Sequence, residues 1–111
     1  MDFCRLFQAI SDKQRQKILL HLQEKDCCVS ELVDMSRISQ SSISKHLSVL
    51  RNAGLVEDER RGQHVFYSLQ CENLKSFCRE YFKRFECCHG LFVGEEEKTG
   101  DVSLMIQPKS S

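Results

Sequence analysis

The chain has 111 residues, and its 16 Lys and Arg residues balance 16 Asp and Glu residues, so the formal net charge is zero. This length fits one domain with a modest core, and 41% hydrophobic residues exclude wholesale disorder. No apolar run approaches the roughly 18 residues that a membrane-spanning helix needs. The first residues also lack a secretory signal, so we expect a cytoplasmic protein without membrane contact.

The charge is distributed unevenly along the chain. Residues 94–111 carry four acidic and two basic side chains in a polar, aperiodic stretch, which we predict to be a disordered acidic tail. Residues 1–93 then form the predicted domain, with a formal charge of +2. This charge is too small to favour or exclude a nucleic-acid partner.

Three helices are predicted in the first third of the chain. The first covers residues 2–10, the second starts from a capping box at residues 11–14 that Ser11 opens, and the third is capped by Ser30. Apolar residues recur in them with helical spacing: Phe3, Leu6, Phe7 and Ile10; Ile18, Leu19 and Leu22; Leu32, Val33 and Met35.

A fourth helix, capped by Ser39, is predicted to end at Ala53-Gly54, because glycine tolerates the left-handed conformation found there. Its apolar residues are spaced by four and three positions. Its other face lacks carboxylates and presents short polar side chains: Gln40, Ser41, Ser42, Ser44, Lys45 and Ser48. Such a face suits contact with DNA, where donors and acceptors meet base edges and no acid repels phosphate.

After Gly54 the period changes from helical to alternating. Residues 55–60 and 64–69 read as two strands joined by a turn at residues 61–63, and Val65, Tyr67 and Leu69 alternate with polar or exposed positions. Arg60 and Arg61 near the tip suit contact with phosphate or the minor groove.

The last predicted helix runs from Glu72 to near Cys88. It carries an apolar stripe of Leu74, Phe77, Cys78, Tyr81, Phe82, Phe85 and Cys88. Because large exposed apolar patches are rare in monomers, we expect the stripe to pack against a second copy, and the alternative is that it closes the monomer core. The resulting order of elements predicts a mostly α-helical winged helix-turn-helix with a small β-hairpin wing.

Three segments resemble the ArsR/SmtB family of dimeric metal-sensing repressors: residues 29–32, residues 38–56, which include Ser39-Gln40-Ser41-Ser42-Ile43-Ser44-Lys45-His46-Leu47, and the hairpin at residues 61–69. The resemblance covers roughly residues 3–90. It implies a homodimer joined through the first and last helices, a palindromic DNA operator, and a metal or metalloid inducer that lowers DNA affinity.

The resemblance also implies which side chains meet the operator. Gln40, Ser41, Ser44 and Lys45 would face bases, and Ser42 and His46 would face the DNA backbone. Arg60, Arg61 and His64 would anchor the wing.

Seven cysteines are unusual for a cytoplasmic chain, and the adjacent pairs Cys27-Cys28 and Cys87-Cys88 suit a soft-metal site. In the family's Cys-Val-Cys motif the second thiol is here Ser30, so Cys28 is interpreted as structural. Cys78 lies about half a turn out of phase with Cys87 on the predicted helix, and it is interpreted as structural together with Cys27. The positions of the family's zinc ligands hold Cys71, Asn73, Arg84 and Cys87, and asparagine and arginine do not form such a site.

Cys87-Cys88-His89-Gly90 resembles a subgroup of arsenite-responsive repressors whose paired thiols bind As(III). That subgroup has a third cysteine shortly afterwards, which this chain lacks. By analogy, Cys71 of the other protomer is the predicted third ligand, with Cys4 as the next candidate. We therefore predict a repressor released by As(III), or by Sb(III), with no organic cofactor.

Two alternatives have less support. A redox or persulfide sensor of the same fold would use a cysteine pair of the last helix, but Leu20 stands where persulfide-sensing relatives have a second-helix cysteine. An enzyme with a nucleophilic thiol would need a base and a pocket. The four histidines form no such motif, so no enzymatic activity is predicted.

Overall fold

A computed structural model describes residues 1–91 of the chain. The predicted acidic tail at residues 94–111 lies outside this part. Five helices, three strands and a short 3₁₀ helix follow one another in this order: α1 Phe3–Ile10, α2 Lys13–Glu24, β1 Cys27–Cys28, α3 Val29–Ser36, α4 Gln40–Asn52, β2 Val56–Arg61, β3 His64–Leu69, α5 Cys71–Phe82 and the 3₁₀ helix Glu86–Leu91. This order confirms the predicted winged helix-turn-helix. None of the helices in this part of the chain is both long and apolar enough to cross a membrane.

Two helix starts differ from the sequence prediction. Asp12, not Ser11, caps α2, since its carboxylate accepts the N–H groups of Gln14 at 2.7 Å and Arg15 at 3.1 Å. The negative charge also complements the positive end of the helix dipole. The N–H of Arg15 is the main reason that the pKa of Asp12 lies below its ordinary value. Ser11 instead donates its hydroxyl to Gln8 O at the end of α1.

Helix α3 begins at Val29, one residue before Ser30, the predicted cap, and it directly follows the strand β1. Cys28 occupies the N-cap position, and its N–H donates to the Glu31 carboxylate at 3.0 Å. This bond is also the main reason that the pKa of Glu31 is lowered. The strand β1 is an element that the sequence pattern does not predict.

The three strands form one antiparallel sheet in the order β1-β3-β2. Cys27 pairs with Tyr67 and Cys28 with Phe66, while β2 and β3 pair along their whole length. The hairpin turns at residues 62–63, and Gly62 has a φ of 66°. A positive φ at the first of two central residues is the feature of a type II′ turn, which matches the twist of the strands.

Helix α4 ends as predicted at Ala53-Gly54. Gly54 has a φ of 80°, its N–H donates to Arg51 O at 2.9 Å, and the N–H of Leu55 donates to Leu50 O at 3.0 Å. This pair of bonds is a Schellman motif, and Leu50 and Leu55, the residues that its longer bond joins, are both fully buried. The chain is thereby turned sharply from α4 into β2.

The chain divides into two compact units, one from Met1 to Leu74 and one that begins at Lys75. In the first unit α2, α3, α4 and the sheet pack on one core of mostly aliphatic side chains, with α1 against α2 and α4. The buried residues of this unit are Leu6, Ala9, Ile18, Leu22, Cys27, Cys28, Leu32, Ile43, Leu47, Leu50, Leu55 and Val56.

The last α-helix is shorter than predicted. It ends at Phe82, and the next residues make i to i−3 hydrogen bonds, from Arg84 N to Tyr81 O, Phe85 N to Phe82 O and Cys88 N to Phe85 O. Aromatic, cysteine and glycine residues are weaker helix formers than alanine or leucine, and the ring centres of Phe85 and Tyr81 lie 5.6 Å apart. The predicted stripe is therefore not one continuous helical face.

Arg37, which follows α3, is the one non-glycine residue with positive φ in the described part of the chain, at 63°. A left-handed conformation strains any residue with a Cβ. We expect Arg37→Gly to raise the free energy of unfolding by about 0.5–1 kcal/mol. Urea denaturation of the full chain measures this, and Arg37→Ala, which keeps the strain, serves as the control. Equal stability of the two variants would contradict the strain explanation.

Candidate DNA interface and cysteine sites

The two faces of α4 differ as the sequence predicted. Ile43, Leu47 and Leu50 are at most 1% exposed, since they pack into the core. The predicted base-facing residues are all exposed: Gln40, Ser41, Ser44 and Lys45, with Ser48 one turn further along. Val49 is also 38% exposed and adds an apolar surface beside them that the sequence reading left out. The exposed face carries two cations, Lys45 and, in the last turn, Arg51, and no carboxylate.

Ser42 is half-buried and belongs to the capping cluster of α4. Its N–H donates to Ser39 Oγ at 3.2 Å, and the Ser39 hydroxyl lies 3.1 Å from Ser42 Oγ and 3.3 Å from Ser41 Oγ. The predicted cap at Ser39 is therefore confirmed. The cluster orders the first turn of α4, whose backbone N–H groups form the positive end of the helix.

His46 has a partner inside the protein. It is half-buried, and Arg15 of α2 donates an Nη1–H to its Nδ1 at 3.1 Å. His46 lies three residues after Ile43 and four before Leu50, which places it at the border of the inner face of α4. That spacing was the available signal in the sequence, although it could not identify Arg15.

Two further contacts hold the end of α4. Arg51 in its last turn donates to both carboxylate oxygens of Asp58 on β2 at 3.4 Å. The Asn73 side-chain amide, at the start of α5, donates to Gly54 O at 2.8 Å. The turn after α4 is thus joined to both the wing and the start of the last helix.

The two wing arginines have different surroundings. Arg61 lies in β2 opposite His64, not in the turn as predicted, because the turn needs only Gly62 and Gln63. Its guanidinium forms an ion pair with Asp26 at 2.7 Å and another with Glu59 at 3.0 Å.

The same guanidinium lies 4.9 Å from the centre of the Phe66 ring. Arg60, by contrast, is exposed and has no ion-pair partner within residues 1–91. His64 is exposed too, with its ring edge-on to Phe66 at 6.5 Å.

The structure buries the first cysteine pair, in agreement with its interpretation as structural. Cys27 is fully buried, and this burial is the main reason that its pKa is raised, with the nearby Glu31 carboxylate adding to the effect. Cys28 Sγ lies 3.3 Å from the Ser30 hydroxyl. A buried, protonated thiol is a poor metal ligand and a poor nucleophile.

The second cysteine pair is accessible. Cys87 is exposed, Cys88 is half-exposed, and their Sγ atoms are 3.8 Å apart on the 3₁₀ helix. Desolvation is the main reason that the pKa of Cys88 is raised, and the neighbouring Cys87 raises it further. His89 donates from Nε2 to Lys83 O at 2.8 Å, which links the 3₁₀ helix to the residue that follows α5.

The candidate third ligands, Cys71 and Cys4, are both exposed. Cys71 is the first residue of α5, and Cys4 lies on α1 beside Phe7, Gln8 and Ser11, which line a shallow groove with it. Within residues 1–91 of one chain, no three His, Cys, Asp or Glu side chains are grouped closely enough to hold a metal ion.

Comparison with known proteins identifies the family. The profile of the family described as bacterial regulatory protein, arsR family, matches residues 12–58, from the cap of α2 into β2. The transcriptional repressor SdpR of Bacillus subtilis is 42% identical over 64 residues, which cover 58% of this chain and 71% of SdpR. The arsenic resistance transcriptional regulator ArsR1 of Pseudomonas putida is 41% identical over 68 residues, which cover 60% of this chain and 53% of ArsR1.

Among solved structures, HlyU from Vibrio cholerae superimposes with a TM-score of 0.61 at 34% identity, covering 76% of this chain and 90% of HlyU. The fold, the helix-turn-helix and these similarities agree. The chain belongs to the ArsR family of winged-helix, DNA-binding transcriptional regulators and is not an enzyme.

Proposed function

We propose that the protein is a homodimeric repressor that leaves its palindromic operator when As(III), or Sb(III), binds Cys87 and Cys88. The observation that carries the proposal is the accessible pair of sulfur atoms 3.8 Å apart. Arsenic(III) and antimony(III) prefer thiolate sulfur to nitrogen or oxygen, and two adjacent thiols supply two of the three donors that they take. The similarity to ArsR1, an arsenic resistance regulator, supports the same inducer class.

For the operator, we propose that the exposed face of α4 enters the major groove. A two-fold dimer places its two recognition helices about 34 Å apart, one turn of B-DNA. Gln40, Ser41, Ser44 and Lys45 then face base edges, while Ser42 and the first turn of α4 approach the backbone. In the wing, Arg60 and His64 are the proposed DNA contacts, because Arg61 is engaged by two carboxylates.

The inducer reaction is an exchange of hydroxyl for thiol. As(III) is present in neutral water as As(OH)₃, and each cysteine that binds it loses its S–H hydrogen to a departing hydroxyl, which leaves as water. Cys87 and Cys88 would replace two hydroxyls. The third position needs another thiol, because the described residues of one chain offer no third ligand beside the pair. We propose Cys71 of the other protomer, with Cys4 as the alternative.

The same pair of thiols supports a second candidate, a persulfide-responsive repressor. A low-molecular-weight persulfide would transfer its outer sulfur to one cysteine and leave as a thiol. The second cysteine would then attack the inner sulfur of the new persulfide, forming a disulfide and releasing H₂S. The closeness of the two sulfur atoms favours this route as well, and the inducer experiment separates the two candidates.

The inducer prediction concerns release from DNA. With the reduced protein on a duplex that it has itself selected from a randomised library, arsenite should release the DNA. Cys87→Ser and Cys88→Ser should each raise the arsenite concentration for half-release about 100-fold, the gain that a second binding group on one molecule brings. Fluorescence anisotropy of the labelled duplex measures the release.

Cys78→Ser is the matched control and should respond like the unmodified chain. Cys71→Ser and Cys4→Ser then identify the third ligand by which of them weakens the response. If arsenite leaves the complex intact and a persulfide donor disrupts it, the inducer proposal is wrong and the second candidate is supported.

The raised pKa of Cys88 predicts how the inducers depend on pH. Its pKa lies above the ordinary thiol value, so the thiol is mostly protonated between about pH 6 and 8. Binding to As(OH)₃ releases water but no proton, so the arsenite concentration for half-release should change little between about pH 6 and 8. Cd²⁺ must displace the Cys88 proton, so its apparent affinity should rise at least about tenfold per pH unit. Equal pH slopes for the two inducers would contradict thiol exchange at Cys88.

The wing prediction separates the two arginines. Arg60→Gln should reduce the slope of log affinity against log salt concentration by about one for each wing that contacts DNA. Arg61→Gln should leave the slope unchanged, because Arg61 is paired with Asp26 and Glu59. Salt titrations of the selected duplex measure both slopes. A smaller slope for Arg61→Gln would show that Arg61 leaves its carboxylates for phosphate.

A further inference from the structure

One side chain joins the end of α1 to the recognition helix α4. Arg15, in the first turn of α2, donates Nε–H to Ala9 O at 2.7 Å and Nη2–H to Gln8 O at 3.1 Å. Both carbonyls belong to the last turn of α1, where carbonyl groups have no partner within the helix. The third contact of the same guanidinium, from Nη1, is with His46 Nδ1 on α4 at 3.1 Å.

The geometry of these contacts leaves the guanidinium little freedom. The group is planar and its donors point in fixed directions, so two bonds to adjacent carbonyls set its plane. A cation at the carboxyl end of α1 also complements the helix dipole. The direction of the remaining Nη1–H is then fixed, so His46 Nδ1 must lie along that direction to accept the hydrogen bond.

His46 lies next to the residues that face DNA. Lys45 precedes it, Ser44 lies two positions before it, and Leu47 follows it into the core. Apolar packing at Ile43, Leu47 and Leu50 is not directional, so it permits small rotations and shifts of α4. A hydrogen bond from a donor of fixed direction restricts these movements of α4.

We propose that Arg15 is a positioning residue for operator recognition, which sets the orientation of α4 through His46 without touching DNA. His46 is then part of the support of α4 and not a contact to the DNA backbone. The proposal rests on DNA recognition by α4 and not on the identity of the inducer. It requires His46 to be neutral with its proton on Nε2, because Nδ1 must accept from Arg15.

The first test compares specific with non-specific binding. In Arg15→Lys the charge stays but the fork of donors is lost, so affinity for the selected duplex should fall about tenfold. Affinity for a scrambled duplex and the salt slope should not change, because no phosphate contact is lost. Arg5→Lys, an exposed arginine of α1, is the matched control and should change neither. An equal loss on both duplexes, or a smaller salt slope, would overturn the proposal.

The second test does not depend on stability. Nitrogen-15 NMR of the imidazole in the unmodified chain should show His46 with an unprotonated Nδ1 and a protonated Nε2, and Arg15→Lys should weaken this preference. A protonated Nδ1 in the unmodified chain would overturn the proposal, since two donors cannot face each other.

The same pair can be tested by a double-mutant cycle on specific affinity. Arg15→Lys and His46→Gln together should weaken binding no more than the stronger single variant, because both remove one interaction. Fully additive losses would show that the two residues act separately, and the proposal would fail. If the unmodified chain does not bind DNA, that result would instead count against the proposed repressor function.

Discussion

The burial of one face of α4 is the constraint on which the rest of the structure depends. Ile43, Leu47 and Leu50 are at most 1% exposed, and α2, α3 and β2 pack around them. Because side chains three and four positions apart share a helix face, burying these three leaves Ser41, Ser44, Lys45 and Ser48 in solvent. A polar residue in the buried set would weaken the core, whereas the outer set is free to vary with the DNA that is read.

Directional polar contacts fix the orientation of α4, which the burial of its apolar face leaves partly undetermined. The hydrophobic effect holds α4 in the core but does not specify its rotation to within a fraction of an ångström. Ser39 orders its first turn, Arg15 reaches its middle through His46, and Arg51 ties its last turn to Asp58. Each contact is partly exposed and modest in free energy. Distributed along the helix, they hold it at three points.

The sequence was sufficient for the features that depend on local periodicity and turn chemistry. The order of the five helices and the two hairpin strands, the cap at Ser39 and the exit at Gly54 follow from residues within a few positions of one another, whereas the two-residue strand β1 does not. The choice of Asp12 over its neighbour Ser11 as a cap depends on small differences in free energy, which a pattern does not resolve.

Contacts between residues that are distant in sequence are not indicated by the local sequence pattern. Arg61 and Asp26 are 35 residues apart, as His46 and Arg15 are 31 apart, so the engagement of these side chains appears only in three dimensions. The end of α5 at Phe82 was missed because an apolar spacing continued after the helix itself had ended. The chemistry of the Cys87-Cys88 pair could be predicted from residue type, while the spacing of its sulfur atoms could not.

The short strand β1 constrains the spacing of the protein's contacts along a DNA site. Its two residues are paired with β3 and lead without a linker into α3, so the wing and the helix-turn-helix form one continuous framework. In the proposed complex with DNA, the span along the duplex between the contacts of α4 and the contacts of the hairpin is then set by the protein. We expect that inserting a base pair between those two positions would cost the proposed complex one set of contacts, because β1 pairs with β3 and continues directly into α3.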